Sequence, residues 1–418
     1  MKIWIINHYA GNFEYGMEYR HFLLSRHLVK FGFEPVIICA SYHHLYTSPP
    51  EVEEEIKFEK HDGIDFAIVK TKTYSGNGFG RLMNTMQFSL RLNHLVPEIV
   101  DRFGKPDVVF GSSPHPFVGL NLYSIKRKFQ IPSLFEVRDL WPLMLIELGS
   151  LSRYHPLTLI FSVLEKLAFR DNDRIVSLWH SADAYILKQG VTKEKYVYIP
   201  NGIEKNSVVG GIPESERALL GLVESRKEKG KFLIGYGGSH GLANPLDMMI
   251  EACRELEKEG NDTIEFFLVG DGPKKAETVA RAKELGLENV HFYDYVSKPT
   301  IMAFYSLIDV AFMGLKNLPL FKYGPTPNKL MDYLSAGKPI IYSIDSSFNP
   351  VEQAGAGFSV PSNDHVGLAQ AAIKMSKLEP NELESMGNNG QRYAEEELSF
   401  ESLAKRLVDT VHEVANSG

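Results

Sequence analysis

Lys329 and Asp332 stand three residues apart in the stretch Tyr323 to Ser343, YGPTPNKLMDYLSAGKPIIYS. Thr326 reads as the N-cap of a helix and Pro327 as its first residue, while Gly337 and Pro339 stop it. That helix puts Lys329 and Asp332 on one face. A lysine in the first turn opposes the positive end of the helix dipole, unless an anion binds there and the free amides and the ammonium both point at it. The plain alternative is an exposed i,i+3 ion pair of little energetic weight.

Two glycine-rich turns could serve the same anion. The strand FLIGY runs into GGSHGLAN, where Gly237, Gly238 and Ser239 offer backbone amides ahead of a helix capped by Asn244 and opened by Pro245. This is not G-x-G-x-x-G and no acidic residue closes the next strand, so a nicotinamide enzyme is disfavoured. The next strand, Ile264 to Val269, ends in Gly270-Asp271-Gly272-Pro273 followed by Lys274 and Lys275, either of which could neutralise a diphosphate. In the first half, Gly16 ends a long loop after the first strand, and Glu136, Arg138 and Asp139 cluster at the end of another. Such charges mark a ligand site or a self-satisfied ion-pair network. His115, in VVFGSSPHPFVGL, is placed to add polar contacts beside them.

The positioning elements follow from the alternation of strand and helix patterns, which predicts parallel sheets covered on both faces. The first helix carries Met17, Leu24, Leu28 and Phe31 on one face. Residues 74–96 break the alternation, with Leu82, Met83, Met86 and Leu90 forming a stripe beside Arg81, Arg91 and His94. Core is the commoner use of such a stripe, and a membrane surface the other. At 418 residues and 44% apolar content the chain can bury two cores. The Pro200-Asn201-Gly202 turn suggests a division into residues 1–204 and 205–397.

No apolar run is long enough to span a bilayer, and MKIWIINHY reads as a first strand rather than a signal peptide. Cys39 and Cys253 read as reduced core residues, consistent with a cytoplasmic protein. Of the net charge of −7, residues 1–200 hold 23 basic against 21 acidic side chains and the remainder 22 against 31, or +2 and −9. That balance disfavours nucleic acid as a partner and leaves room for a basic patch on an anionic membrane.

The pattern formed by Pro327, Lys329, Leu330, Asp332, Tyr333, Gly337, Lys338, Pro339, Ile340 and Ile341 resembles the nucleotide-sugar site of family-4 retaining glycosyltransferases, and more closely their L-fucosaminyl-transferase-like branch of O-antigen and capsule synthesis. Gly16, Glu18 and Arg20 in YGMEYRH, Arg138-Asp139 with Trp141-Pro142, and Pro200-Asn201-Gly202 are similar to the same branch. The resemblance implies a GT-B fold, with two doubly wound Rossmann-like α/β domains facing a cleft and a terminal helix, about 398–418, folded back on the first.

It further implies that Asp332 binds ribose hydroxyls, and that Pro327, Asn328, Lys329 and Leu330 with one of Lys274 and Lys275 meet the diphosphate. Tyr295 and Val296 read the base by their backbone. Catalysis would fall to Lys329, Glu136, Arg138, Asp139 and Gly16, and acceptor binding to Glu18, Arg20 and His115. Gly324 stands where the family's usual glutamate would be, and Arg138 where a histidine is common. No cofactor or metal is implied, since no D-x-D lies in a suitable strand context. The expected partners are a UDP-linked sugar and a lipid-linked or soluble glycan acceptor at the inner face of the membrane. A nucleotide-sugar epimerase and a donor-binding subunit without activity remain open.

Overall fold

The computed structural model describes residues 1–16, 18–76, 78–149, 151–204 and 210–416; Met17 of the expected first helix and the start of the expected second domain at Lys205 lie outside them. The chain divides into two units, Met1–Asn201 with Phe400–Gly418, and Gly202–Ser399. Each has its own sheet and its own core.

In the first unit the strands are β1 Lys2–Ile6, β2 Glu34–Ala40, β3 Ile56–His61, β4 Ile64–Val69, β5 Val108–Ser112, β6 Ser133–Val137, β7 Arg174–Ser177 and β8 Tyr196–Tyr198. They pair in the order β3-β4-β2-β1-β5-β6-β7-β8, all parallel except the β3/β4 edge pair. Residues such as Ile3, Ile5, Ile37 and Phe110 are fully or almost fully buried because helices cover both faces. Strand order reverses direction between β1 and β5, so the loops after those strands diverge at their C-terminal ends. The helix Phe400–Asn416 belongs to this unit, where Leu403, Leu407 and Val411 pack into the same core as Leu24 and Leu28.

In the second unit β9 Phe232–Gly237, β10 Ile264–Val269, β11 Val290–Tyr293, β12 Val310–Gly314, β13 Ile340–Ser343 and β14 Gly357–Ser359 form an all-parallel sheet, ordered β11-β10-β9-β12-β13-β14. Its order reverses between β9 and β12. Cys39 and Cys253 are buried free thiols, one in each unit.

Several local expectations shift. The helix bearing Lys329 runs Asn328–Ser335 with Pro327 as its N-cap, because that proline keeps an extended ψ of 139°; Thr326 makes no cap. Likewise Pro245, not Asn244, caps the helix Leu246–Lys258, which frees the Asn244 side chain for other work. The segment 107–120 is a strand only to Ser112, and a helix starts at Val118. In the long helix Phe79–Phe103 the core face is Phe88, Leu92, Leu95 and Ile99, spaced by four, three and four, whereas Met83 and Leu90 of the expected stripe are exposed.

Candidate active site

The β9/β12 reversal is where Lys329 lies. Its ammonium donates to the Tyr236 hydroxyl at 2.8 Å and to Asn244 Oδ1 at 2.7 Å, and sits 4.4 Å from the centre of the Tyr236 ring. Neither hydrogen-bond partner is charged, and burial pulls the lysine down to about 7. Asp332 does not pair with it: the Asp332 carboxylate is bound to Lys298, so the simple i,i+3 pair is ruled out. The glycine turn is adjacent, since a Cβ on Gly238 would come within 3.2 Å of the Lys329 side chain. Gly237 donates its amide to the Tyr333 hydroxyl at 3.1 Å, and Tyr236 donates to the Ser239 carbonyl at 2.7 Å, so two buried phenols hold the turn in place. His240, buried in that turn, is pulled down to about 4 by burial and by Lys275.

The remaining expected donor residues separate. Leu330 is fully buried and its amide donates to the Pro327 carbonyl, so it is core and offers nothing to a ligand. Lys274 is tied to Glu277, and Lys275 to the Gly270 and Tyr293 carbonyls at 2.9 and 2.8 Å and to Asp294. Lys275 thus ties the ends of β10 and β11 together, while Lys274 makes an i,i+3 pair on the helix that follows. Gly272 packs against the His240 backbone, where a Cβ would meet its carbonyl oxygen at 2.7 Å. Asn328 and Tyr295 are exposed and Val296 partly so.

In the first unit the expected catalytic charges form a closed network. Glu136 is fully buried, with Oε1 accepting from Arg20 Nε at 2.7 Å and Oε2 bonded to His21 Nε2 at 2.8 Å. Arg20 also donates to the Ile199 carbonyl at 2.9 Å and to that of Pro200. Burial penalises the Glu136 charge, but Arg20 and His21 more than offset it and hold the carboxyl well below the usual range. Glu136 as catalyst and Arg20 as acceptor contact are thus corrected to scaffold, for want of a free polar atom.

Arg138 and Glu18 make two contacts of 2.7 Å with each other, so Glu18 is likewise an internal partner. Gly16 is also structural: its amide donates to the Asn12 carbonyl at 3.1 Å, and at φ +138° a Cβ would lie 2.7 Å from the Thr47 nitrogen. Asp139 has its pKa raised by burial despite Arg138. It lines a cavity of about 10 Å³, room for one water, beside Trp141 and Glu165. Burial drives Glu165 up to about 8 and it accepts from the Tyr185 hydroxyl at 2.6 Å. His115 Nε2 is 3.0 Å from His8 Nδ1.

Tyr236 and Asn244 are the principal residues missed. Asn244 looked like a cap, and the signal for Tyr236 would have been an aromatic hydroxyl at the last inward position of β9. Among the described residues no group of three or more His, Cys, Asp or Glu side chains is placed to hold a metal ion.

Each unit carries a doubly wound sheet with polar side chains gathered beyond the C-terminal ends of its strands. Residues 16–206 match the family described as Glycosyltransferase Family 4, and residues 223–393 match Glycosyl transferases group 1. The chain is a glycosyltransferase on the α/β GT-B fold. It is 21% identical over 335 residues to an Escherichia coli K12 protein named as a colanic acid biosynthesis glycosyl transferase, WcaI, covering 77% of this chain and 78% of that one. Sucrose-phosphate synthase from Thermosynechococcus elongatus has a similar structure at TM-score 0.71 and 14% identity, covering 100% of both chains. Anabaena HepE, solved with UDP and glucose, superposes at TM-score 0.64 and 14% identity, over 99% of each chain.

Two outcomes test the site. An anion at Lys329 favours its charged form, so binding takes up a proton above pH of about 7; UDP affinity should be full below that pH and fall by up to about tenfold per unit above it. Lys329→Met should abolish this slope in calorimetry, and a pH-independent parental affinity would separate Lys329 from the anion. Arg20→Ala should cost about 3 to 5 kcal/mol of stability, because it strands a buried carboxylate. An unchanged denaturant midpoint would remove Arg20 from the scaffold.

Proposed function

We propose that the protein is a retaining glycosyltransferase that moves a sugar from a UDP-linked donor to a hydroxyl of a lipid-linked glycan precursor of surface polysaccharide. The observation that carries this reading is the enclosed ammonium of Lys329, held by two neutral oxygens at a sheet reversal next to Gly238. A cation without a carboxylate partner in its hydrogen-bonding shell favours an arriving diphosphate. Its charge counts most as the sugar leaves and negative charge gathers on the leaving oxygen. Asp332 exchanges Lys298 for the ribose hydroxyls, which keeps its carboxylate hydrogen-bonded in both states. The name of the WcaI relative, and the UDP in the HepE structure, favour a UDP-sugar and a polysaccharide product.

Membrane contact is part of the same reading. The helices Val118–Phe129 and Pro156–Asp171 pack side by side and expose Leu120, Tyr123, Leu159, Ile160 and Val163. The last turn of the first carries Lys126, Arg127 and Lys128, and no acidic residue occurs in it. Lys126 pairs with Asp173 at 2.7 Å, which leaves Arg127 and Lys128 as the basic rim of an apolar face that suits an anionic lipid surface.

Asp332→Ala should raise the UDP dissociation constant roughly ten- to a hundredfold, the loss of a charged hydrogen bond worth about 1.5 to 3 kcal/mol. Incubating UDP-sugar with and without lipid-linked acceptor separates the alternatives. Transfer with the donor's anomeric configuration retained supports the proposal, interconversion without acceptor indicates an epimerase, and binding without turnover a donor-binding subunit. For the membrane face, Ile160→Glu with Val163→Glu should abolish co-sedimentation with phosphatidylglycerol-containing vesicles and leave UDP binding intact. Equal sedimentation of parent and variant would discard that face.

A further inference from the structure

The order reversal of the first sheet, between β1 and β5, gathers a second polar cluster that the proposed donor chemistry does not use. His8 follows β1, His43 follows β2 and His115 follows β5, so three histidines converge from three strand ends at the place where open parallel sheets take ligands. All three are nearly or completely buried. The His8 and His115 rings lie 5.0 Å apart and the His8 and His43 rings 6.4 Å. His115 Nδ1 has no hydrogen-bond partner among the described residues, whereas His8 meets Asn84 and His43 the Ala10 backbone.

The neighbouring His21 shows what a scaffold histidine looks like here: its ring nitrogens bond Asn7 at 2.9 Å and Glu136 at 2.8 Å. Folded proteins leave few buried polar atoms without partners, and each calls for an explanation such as a bound ion or water. One cation stands over the cluster. Arg81 is only partly buried, donates from Nε to the Tyr9 hydroxyl at 2.8 Å, and acts electrostatically on His8, His43, His44 and His115. The other groups facing the cluster include Tyr46, whose ring centre is 3.6 Å from that of His43, and Tyr74, Asn84 and Asp139.

We propose that His8, His43 and His115, with Tyr9 and Arg81, form an anion-binding site that receives a phosphate group of the acceptor. The anion part stands on this geometry alone, and the word acceptor rests on the glycosyltransferase reading above. An arginine with imidazole nitrogens behind it suits phosphate oxygens, because each ring can donate an N–H and take up a proton as the anion arrives. The described histidines and carboxylates do not form a group able to hold a metal ion, so a cation is the poorer occupant. Burial first, then histidine neighbours for His8 and His43 and the Arg81 charge for all three, holds the rings in the neutral form; His43 and His115 are both pulled down to about 3. The site can therefore wait uncharged until an anion pays for the protons.

The experiment is a titration of the full chain, saturated with UDP so that the Lys329 site is occupied, with inorganic pyrophosphate, with geranyl diphosphate and with an uncharged methyl glycoside. Histidine ring resonances and buffer-dependent calorimetric heats are read together. Pyrophosphate should shift the rings of His8, His43 and His115 and take up protons, geranyl diphosphate should bind tighter than pyrophosphate, and the methyl glycoside should do neither. Arg81→Gln and His8→Gln should each weaken pyrophosphate at least tenfold while leaving the UDP dissociation constant unchanged. Ring resonances that ignore pyrophosphate in the parent protein overturn the site without recourse to any variant. Geranyl diphosphate binding no tighter than pyrophosphate overturns the assignment to a lipid-borne phosphate. Failure of UDP to bind at all would sink the glycosyltransferase reading instead, and pyrophosphate would still report on the cluster.

Discussion

The buried carboxylate of Glu136 is the interaction on which the first unit depends. It lies on β6, binds Arg20 and His21 from one helix, and through them reaches Asn7 after β1 and the carbonyls of Ile199 and Pro200 after β8. One ionised group thereby ties the C-terminal ends of strands spread across most of the sheet. An ion in a low-dielectric interior is tolerable only when its oxygens are saturated, and here both are. The same saturation makes Glu136 unsuited to chemistry. Its service to function is to fix the loops from which His8 and Arg138 project.

Lys329 presents the opposite case. Its hydrogen bonds go to a phenol and an amide, which solvate the ammonium without cancelling its charge, and the consequence is the depressed proton affinity. Within a single chain the two kinds of buried ion can thus be told apart by their partners. Arg20 and Arg138 meet carboxylates, whereas Lys329 meets only neutral oxygens.

The fold was legible in the sequence because alternating strand and helix patterns force a parallel, doubly covered sheet, and the helix start at Pro327 was legible to within a residue. The partnership of charges was not. Glu136, Arg138 and Asp139 are consecutive or nearly so, yet the partners of the first two are Arg20 and Glu18, more than a hundred residues away, and no spacing rule reaches that far. The stripe at Leu82, Met83, Met86 and Leu90 fits a helical period as well as Phe88, Leu92, Leu95 and Ile99 does. Periodicity reports that a face exists, and the sheet decides which face it covers. Of the three buried histidines only His115 stood out in the sequence, since only the strand order brings His8 and His43 to it.

Glycine-rich turns need the same care. The turns after β9 and β10 interlock, with the His240 amide donating to the Asp271 carbonyl at 2.8 Å and the Lys274 amide to the His240 carbonyl at 2.9 Å. A Cβ on Gly270 would stand 1.9 Å from the Gly238 carbonyl oxygen, and one on Gly237 would strike the Tyr305 hydroxyl at 2.1 Å. Turn-to-turn packing therefore accounts for Gly270 and Gly272, and ring packing for Gly237, before any phosphate is invoked. Of the glycines in these two turns, Gly238 combines a φ of +146° with a neighbour that carries charge, the Lys329 side chain. The anion chemistry proposed for the second unit then concentrates at the junction of Gly238, Lys329, Tyr236 and Asn244. Most of the turn's glycines are there to bring its two strands' loops close enough to hold that junction rigid.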